Sequence, residues 1–299
     1  MNNETRKPTI TLLADLIGDL RADAEAAYKA KQAGRPRGPV TGLSKLDAAL
    51  GGYLQPGLHV LQAAPGAGKT AFALQAASTC QFPSLIVSAE MPTIELFRRL
   101  IARETQTFLQ RLKTGELGPR EVERLALATA EKLPQLALID GLRGFASPEI
   151  IRDNAKALRE RMKADHCLII IDSLQIWARS SRGPMSAPAS EYDVLNAALV
   201  TAADIAADIA CPILLVSHRN RASQATGGMH ASKGSGDIEY MTETVIDLER
   251  KKNKEGTEVG PDAAEEIDIQ AKIHKNRNGV AGTSIDLKFS GRLQHFREV

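Results

Sequence analysis

The chain has 299 residues, of which 43% are hydrophobic and 25% are charged, so it can bury the core of one large or two small globular domains. Its formal net charge of +2 excludes a strongly basic protein, and any nucleic-acid site must be a local patch. The N-terminal stretch lacks the apolar core of a signal peptide, and no run is long enough to cross a membrane. We therefore expect a soluble cytoplasmic protein, whose cysteines, Cys80, Cys167 and Cys211, are buried free thiols.

The first predicted element is an amphipathic helix over residues 11–28, where Leu13, Leu16 and Leu20 recur at helical spacing. Glycine and proline in "KAKQAGRPRGPV" then end the helix. We therefore divide the chain into an N-terminal arm, residues 1–40, and a core domain, residues 41–299. The apolar stripe of the helix has two interpretations: it packs on its own domain, or it docks on a neighbouring subunit.

Short apolar runs then alternate with helical patterns, which predicts an α/β fold with a mostly parallel sheet covered by helices on both faces. The last two strands have a short connection and are expected to form an antiparallel hairpin at one edge. The predicted strands are 57–62, 84–88, 135–139, 167–172, 212–217, 243–249, 266–274 and 283–290. The predicted helices are 70–80, 92–104, 118–132, 148–164 and 191–210, and the predicted loops are 179–190 and 219–236.

A phosphate-binding loop follows the first core strand. Residues 63–70, "AAPGAGKT", match the P-loop pattern except that Ala63 replaces the first glycine. Glycines let successive N–H groups point at an anion, Lys69 can reach the β- and γ-phosphates, and the Thr70 hydroxyl can bind Mg²⁺. The alternative is a glycine-rich turn without a ligand. We predict a site for ATP and Mg²⁺ formed by Ala64, Pro65, Gly66, Ala67, Gly68, Lys69, Thr70 and Ala71.

Two carboxylates follow core strands and suit the chemistry of this loop. Asp172 ends the apolar run "CLIIID", where it can hold Mg²⁺ together with Thr70. Glu90 follows the strand after the loop, where it can take a proton from water that attacks the γ-phosphate. For Glu90 the alternative is an acidic residue that stabilises the start of the helix at Pro92.

Several segments resemble the C-terminal motor domain of the DnaB-type replicative helicases, which have a RecA-like core. The resemblance covers about residues 10–297 and begins with "TGLSKLDAALGGYLQPGLHVL", before the P-loop. The segment "SAEMP" resembles the helicase segment that carries the catalytic base, which implies that role for Glu90. The segment "IIIDSLQIW" resembles the Asp-x-Leu-Gln strand of these proteins.

The same resemblance implies residues that act between subunits and on DNA. The segment "KNRNG" resembles a Lys-x-Arg element supplied across a ring interface, so Lys275 and Arg277 would stabilise charge on a neighbour's γ-phosphate. The segment "KGSGDIE" resembles a DNA-binding loop, and the helix and linker over 11–40 resemble one that docks on the next protomer. The alternatives are solvated bases at a strand end and an ordinary surface loop. The predicted contacts to single-stranded DNA are Lys233, Gly234, Gly236, Arg219 and Arg221.

Two departures from the family leave other functions open. His218 stands at a position where the family usually has a glutamine that senses the γ-phosphate. Relatives of the RadA branch-migration ATPases tend to have a histidine at this position. We also expect no N-terminal collar domain of the kind that binds primase. The expected function is that of an ATP-hydrolysing DNA helicase or translocase in DNA replication, which forms a homo-oligomeric ring, a hexamer by resemblance. A loader or primase is a candidate partner. The alternatives are a RadA-like recombination ATPase, a nucleotide-gated scaffold ring and a phosphotransfer ring of the KaiC type.

Overall fold

The computed structural model describes residues 10–181, 190–218, 240–251 and 266–299. Five predicted DNA contacts lie outside these residues: Arg219, Arg221, Lys233, Gly234 and Gly236. The chain divides into two compact units, Met1–Arg37 and Gly38–Val299. Among the described helices, none combines the length and the hydropathy that a membrane span requires.

The first unit contains the predicted amphipathic helix. A 3₁₀ turn over Leu13–Leu16 leads into helix α1, Ile17–Gln32. Within these two elements no side chain is buried, and the apolar stripe is exposed, from 44% at Leu16 to 84% at Leu13. A 2.7 Å ion pair between Lys29 and Glu25 joins successive turns on the polar side.

The second unit contains one nine-stranded sheet within the described residues. The strands are β1 (Gly57–Ala63), β2 (Ser84–Ser88), β3 (Leu136–Asp140), β4 (Leu168–Asp172), β5 (Pro212–His218), β6 (Thr244–Arg250), β7 (Ile267–Asn276), β8 (Ser284–Ser290) and β9 (His295–Glu298). Their order is β3-β2-β4-β5-β1-β6-β7-β8-β9. The pairs from β3 to β6 are parallel, and those from β6 to β9 are antiparallel.

The predicted hairpin of β7 and β8 is present, but the prediction that it forms the edge is wrong. Strand β9 pairs with β8 and takes the edge position. The sequence pattern did not indicate β9, because four residues are too few to display a period of two.

Helices cover both faces of this sheet, and the predicted α/β class is confirmed. Along β4, Leu168 and Ile170 pack in one core cluster, whereas Ile169 and Ile171 pack in the other. Because both faces are buried, the strand is a continuous apolar run. The helices of this unit are α2 (Ser44–Ala49), α3 (Lys69–Thr79), α4 (Thr93–Thr105), α5 (Arg111–Thr114), α6 (Pro119–Lys132), α7 (Pro148–Arg161), α8 (Leu174–Ser180) and α9 (Glu191–Ile209). The three cysteines are buried free thiols, as expected.

The hairpin of β8 and β9 packs against α3, the helix that follows the P-loop. The Gln75 side chain donates to the carbonyl of Phe296 at 3.0 Å and accepts from its amide at 2.8 Å. The rings of Phe289 and Phe296 stack with centroids 4.4 Å apart. Gly68, at φ +89°, lies directly against these rings, because an added Cβ would sit 2.8 Å from Phe296. The hairpin of β8 and β9 therefore packs against the P-loop and the helix that follows it, and in this sense supports the loop.

Candidate active site

The P-loop lies between β1 and α3 and has the backbone that its sequence predicts. Residues 64–68 connect the two elements, and Lys69, Thr70 and Ala71 form the first turn of α3. Gly66 and Gly68 have φ values of +77° and +89°, a region that strains residues with a side chain. This curled loop before a helix N-terminus fits a phosphate group, because backbone N–H groups and the helix dipole favour an anion there.

Lys69 is folded back onto the loop. Its side chain is only 9% exposed, and Nζ donates to the carbonyls of Ala63 at 2.9 Å and Ala64 at 3.3 Å. Burial lowers the pKa of Lys69, and the negative charges of Asp172, Glu90 and Asp247 oppose that shift. These neighbouring carboxylates favour the ammonium form, which is the form that binds a phosphate oxygen.

Thr70 and Asp172 bring two oxygen ligands to one point. The Thr70 hydroxyl donates a 2.7 Å hydrogen bond to the carboxylate of Asp172 at the end of β4. Burial raises the pKa of Asp172, the Thr70 hydrogen bond lowers it, and the Glu90 charge raises it further. A half-buried hydroxyl and a buried carboxylate side by side are the hard oxygen ligands that Mg²⁺ prefers, so the residues present fit this ion.

The side chains of Glu90 and His218 lie close together at the carboxyl ends of the parallel strands. Glu90 follows β2 and His218 ends β5, and His218 Nε2 lies 3.2 Å from a carboxylate oxygen of Glu90. Both side chains are 41% exposed, so water can reach them. The alternative role of Glu90 at a helix start does not fit, because α4 begins at Thr93 and its first-turn acid is Glu95.

Sequence reasoning missed two side chains that contact predicted site residues. Gln175 accepts from the amide of His218 at 3.2 Å and donates to Ser217 at 2.8 Å, so it fixes the end of β5. Arg250 donates to the carbonyl of Gly66 at 2.6 Å and thereby holds the tip of the P-loop. Arg250 is a basic residue directly after a predicted strand. This pattern could have indicated a contact with the P-loop only if the pairing of β6 with β1 had been known.

Lys275 and Arg277 are not brought to this P-loop. Lys275 pairs with Val245 in the sheet, and Arg277 follows β7. The guanidinium of Arg277 contacts Glu243, whose amide donates to Leu58 at the amino end of β1. The P-loop leaves the opposite end of β1, five residues further on, or about 17 Å at ~3.3 Å per residue. The contacts of Arg277 thus lie at the amino end of β1, whereas the predicted nucleotide site lies at its carboxyl end.

Comparison with known proteins agrees with this architecture. Residues 38–298 match the family described as DnaB-like helicase C terminal domain. A replicative DNA helicase DnaB of Treponema pallidum is 27% identical over 310 aligned residues, which cover 99% of this chain and 64% of that protein. The chain therefore spans less than two thirds of the length of this relative.

Two solved structures have the same fold. One of them, described as an ATPase domain, superposes with a TM-score of 0.77 at 19% identity, covering 95% of this chain and 98% of that one. A DnaB-like replicative helicase, described with its interactions with primase, has a TM-score of 0.74 at 18% identity, covering 97% and 68%. These similarities confirm the predicted RecA-like P-loop fold, and the match over residues 38–298 identifies the family. The chain belongs to the DnaB-like helicase C-terminal domain family.

Proposed function

We propose that this chain is an ATP-hydrolysing ring motor that moves on single-stranded DNA and acts as a helicase in DNA replication. The observation that carries the proposal is the convergence of four side chains at the carboxyl ends of three strands in the parallel part of the sheet. Lys69 and Thr70 follow β1, Asp172 ends β4, and Glu90 follows β2. A phosphate loop, a pair of oxygen ligands and a carboxylate base are the parts that ATP hydrolysis needs.

Each residue has a defined role in this proposal. The loop amides and Lys69 bind the phosphates, and Thr70 with Asp172 would hold Mg²⁺, whose charge offsets that of the phosphate oxygens. Glu90 accepts a proton from the attacking water. His218, 3.2 Å away, orients the Glu90 carboxylate, and Gln175 keeps the end of β5 in place.

The distance of Arg277 from its own P-loop supports a role at a neighbouring subunit. A head-to-tail ring would bring Lys275 and Arg277 of one protomer to the nucleotide of the next. We propose that the motor domain, residues 41–299, forms such a ring, a hexamer, and that the arm, residues 1–40, docks on the adjacent protomer. The exposed apolar stripe of α1 supports this role of the arm.

The binding partners that we propose for this chain are inferred from its family. The predicted loop residues Lys233, Gly234 and Gly236, with Arg219 and Arg221, would contact the DNA backbone. Because one similar structure is described with primase, primase or a loader is the protein partner that we propose. The cytoplasm is the proposed location.

ATPase rates with and without single-stranded DNA test the proposal, together with a native mass measurement in the presence of nucleotide. We expect DNA to stimulate hydrolysis and the mass to correspond to a closed ring. ATP binding by a ring without DNA stimulation would favour the scaffold or phosphotransfer alternatives.

His218 is the observation that favours a second candidate, a RadA-like recombination ATPase. A forked duplex separates the two functions. We expect ATP-dependent strand separation by a helicase, whereas DNA-stimulated hydrolysis without unwinding would favour the RadA-like alternative.

A further inference from the structure

Arg277 is held by three hydrogen bonds to residues 240–243. Its Nη1 donates to the Glu243 carboxylate at 3.1 Å, and its Nη2 donates to the carbonyl of Tyr240 at 2.6 Å. Its backbone amide donates to the carbonyl of Glu243 at 3.0 Å. Both the main chain and the guanidinium of Arg277 are therefore fixed to one short segment.

Glu243 is itself firmly placed. Its amide donates to the carbonyl of Leu58 at 2.7 Å, which anchors it to β1. Gly57 makes room for its side chain, because an added Cβ there would lie 2.8 Å from Cγ of Glu243. The Asn278 side chain donates to the second carboxylate oxygen at 3.4 Å. The carboxylate of Glu243 thus belongs to the rigid sheet rather than to a freely moving side chain.

The Arg277 guanidinium has further N–H groups that can donate hydrogen bonds to a ligand. The Arg277 side chain is 50% exposed, whereas that of Glu243 is 20% exposed. A guanidinium has five N–H donors, and within the described part of the chain Glu243 and Tyr240 take two of them, so three remain. The arrangement orients the cation on its inner side and leaves its outer side open.

We propose that Glu243 is a positioning residue for Arg277, and that the Tyr240 carbonyl is the second anchor that fixes the direction of the guanidinium. The inference rests on the proposed function, because it requires Arg277 to act on the phosphates of a neighbouring subunit. Fixing the guanidinium beforehand reduces the conformational entropy lost when it meets the phosphate.

The second anchor is next in sequence to the predicted DNA-binding segment, because Tyr240 directly follows residues 219–239, which contain Lys233, Gly234 and Gly236.

The first test compares Glu243→Gln and Glu243→Ala with the parent in steady-state ATPase assays, with and without single-stranded DNA. We expect the DNA-stimulated kcat to fall about 10–100-fold, the range for a misplaced catalytic group. Glu243→Gln should lose less, since the amide oxygen can still accept from Arg277. The KM for ATP should change less than about twofold, because the residues that bind nucleotide within the subunit are untouched.

Glu266→Gln is the matched control. Glu266 accepts two hydrogen bonds from Arg297, at 3.0 and 2.7 Å, so this variant also weakens an exposed Arg–carboxylate pair on the sheet. It should keep the parent's kcat. An equal loss in Glu266→Gln, or a normal kcat in both Glu243 variants, would overturn the inference. Thermal melting of Glu243→Gln checks that the fold is retained.

Mixed rings show whether Glu243 acts on the neighbouring site. Glu243→Ala subunits keep their own P-loop and Glu90, whereas Glu90→Gln subunits keep the Arg277 anchor. An equal mixture contains both intact halves at roughly a quarter of its head-to-tail interfaces. We expect activity well above that of either variant alone, at the level reached by mixing Arg277→Ala with Glu90→Gln.

The two mixtures separate this inference from the proposed function. Recovery with Arg277→Ala but not with Glu243→Ala would overturn the positioning role and leave the ring motor intact. Full activity of Arg277→Ala alone, or no recovery in its mixture, would overturn the action of Arg277 on a neighbour, and the inference with it.

Discussion

The hydroxyl of Thr70 and the carboxylate of Asp172 lie 2.7 Å apart although 102 positions separate them in the chain. The contact joins the first turn of α3 to the end of β4, so the loop that would bind phosphate and the strand that would bind metal form one unit. It also offsets part of the cost of burying Asp172, because a hydrogen bond to the ionised carboxylate lowers its pKa. The fold of the chain itself therefore places these two oxygen ligands side by side.

Substitution of Lys69 and of Glu90 should separate nucleotide binding from hydrolysis. We expect Lys69→Ala to lose nucleotide binding, because the substitution removes the ammonium group that would bind the β- and γ-phosphates. Glu90→Gln should bind ATP and hydrolyse it about 10²–10⁴-fold more slowly, the usual cost of losing a general base. Fluorescent-nucleotide titration and ATPase rates check both expectations. Near-normal turnover of Glu90→Gln would mean that the base lies elsewhere.

Arg250→Ala should weaken nucleotide binding, because its guanidinium donates at 2.6 Å to the carbonyl of Gly66. We expect the Kd for ATP to rise about tenfold, in line with one hydrogen bond from a charged donor. Lys251→Ala is the control: it removes the same charge from the next position, where Nζ pairs with Asp286 at 2.7 Å. Equal affinities of the two variants would show that Arg250 does not support the loop.

Deletion of residues 1–34 tests the arm. We expect the truncated chain to keep a folded ATPase core and to assemble more weakly, because the exposed stripe of Leu13, Ile17 and Leu20 would no longer bury its apolar surface on a neighbour. Sedimentation at several protein concentrations, with nucleotide present, measures the change. A deletion variant that assembles like the full chain would show that the helix makes no contact between subunits.

Lys233→Ala tests the predicted DNA loop. If Lys233 contacts phosphate, its removal should weaken binding to all single-stranded sequences alike. The slope of log affinity against log salt should fall by roughly 0.7 for each lysine–phosphate interaction that the substitution removes, because one counterion is no longer released. ATPase without DNA should persist and its stimulation by DNA should fall. An unchanged slope with full stimulation would remove Lys233 from the DNA site.

The buried His59 should make stability depend on pH. Its Nε2 lies 2.7 Å from the carbonyl of Gln55, and its Nδ1 lies 2.8 Å from the Thr244 hydroxyl, so the neutral ring is fully hydrogen-bonded. Burial lowers the pKa of His59 to about 4. Between pH 6.5 and 4 the unfolded chain therefore binds the proton and the folded chain does not. The stabilisation is complete above pH 6.5 and is lost as pH falls towards 4.

We expect this one group to lower the free energy of unfolding by about 3 kcal/mol across that range. Urea unfolding of the parent and of His59→Asn at several pH values measures it. The variant is expected to be less stable at pH 7 and to have a shallower pH dependence. Equal pH slopes would mean that His59 is protonated in the folded state.

Long buried elements could be predicted from the sequence because each carries its own local signal, a continuous apolar run in a strand that is buried on both faces or a helical spacing of apolar residues in a helix. The strand predicted over 167–172 is Leu168–Asp172, and the helix predicted over 191–210 is Glu191–Ile209. The contacts of Gln175 and Arg250 could not be predicted, because they depend on which strands become neighbours. Strand β1 lies between β5 and β6, and only this order brings Arg250 to Gly66. Likewise, Glu90 and His218 are 128 positions apart, and no local pattern links them.

The support of the P-loop by the β8–β9 hairpin has a consequence for synthesis on the ribosome. Gln75 and Phe296 exchange two hydrogen bonds across 221 positions, and the Phe296 ring lies against Gly68. Contacts between segments so distant in sequence form late, after most of the chain has been made. A nascent chain that ends before β9 therefore carries the whole P-loop sequence without its support. We expect it to acquire nucleotide affinity only when residues 289–296 have left the exit tunnel.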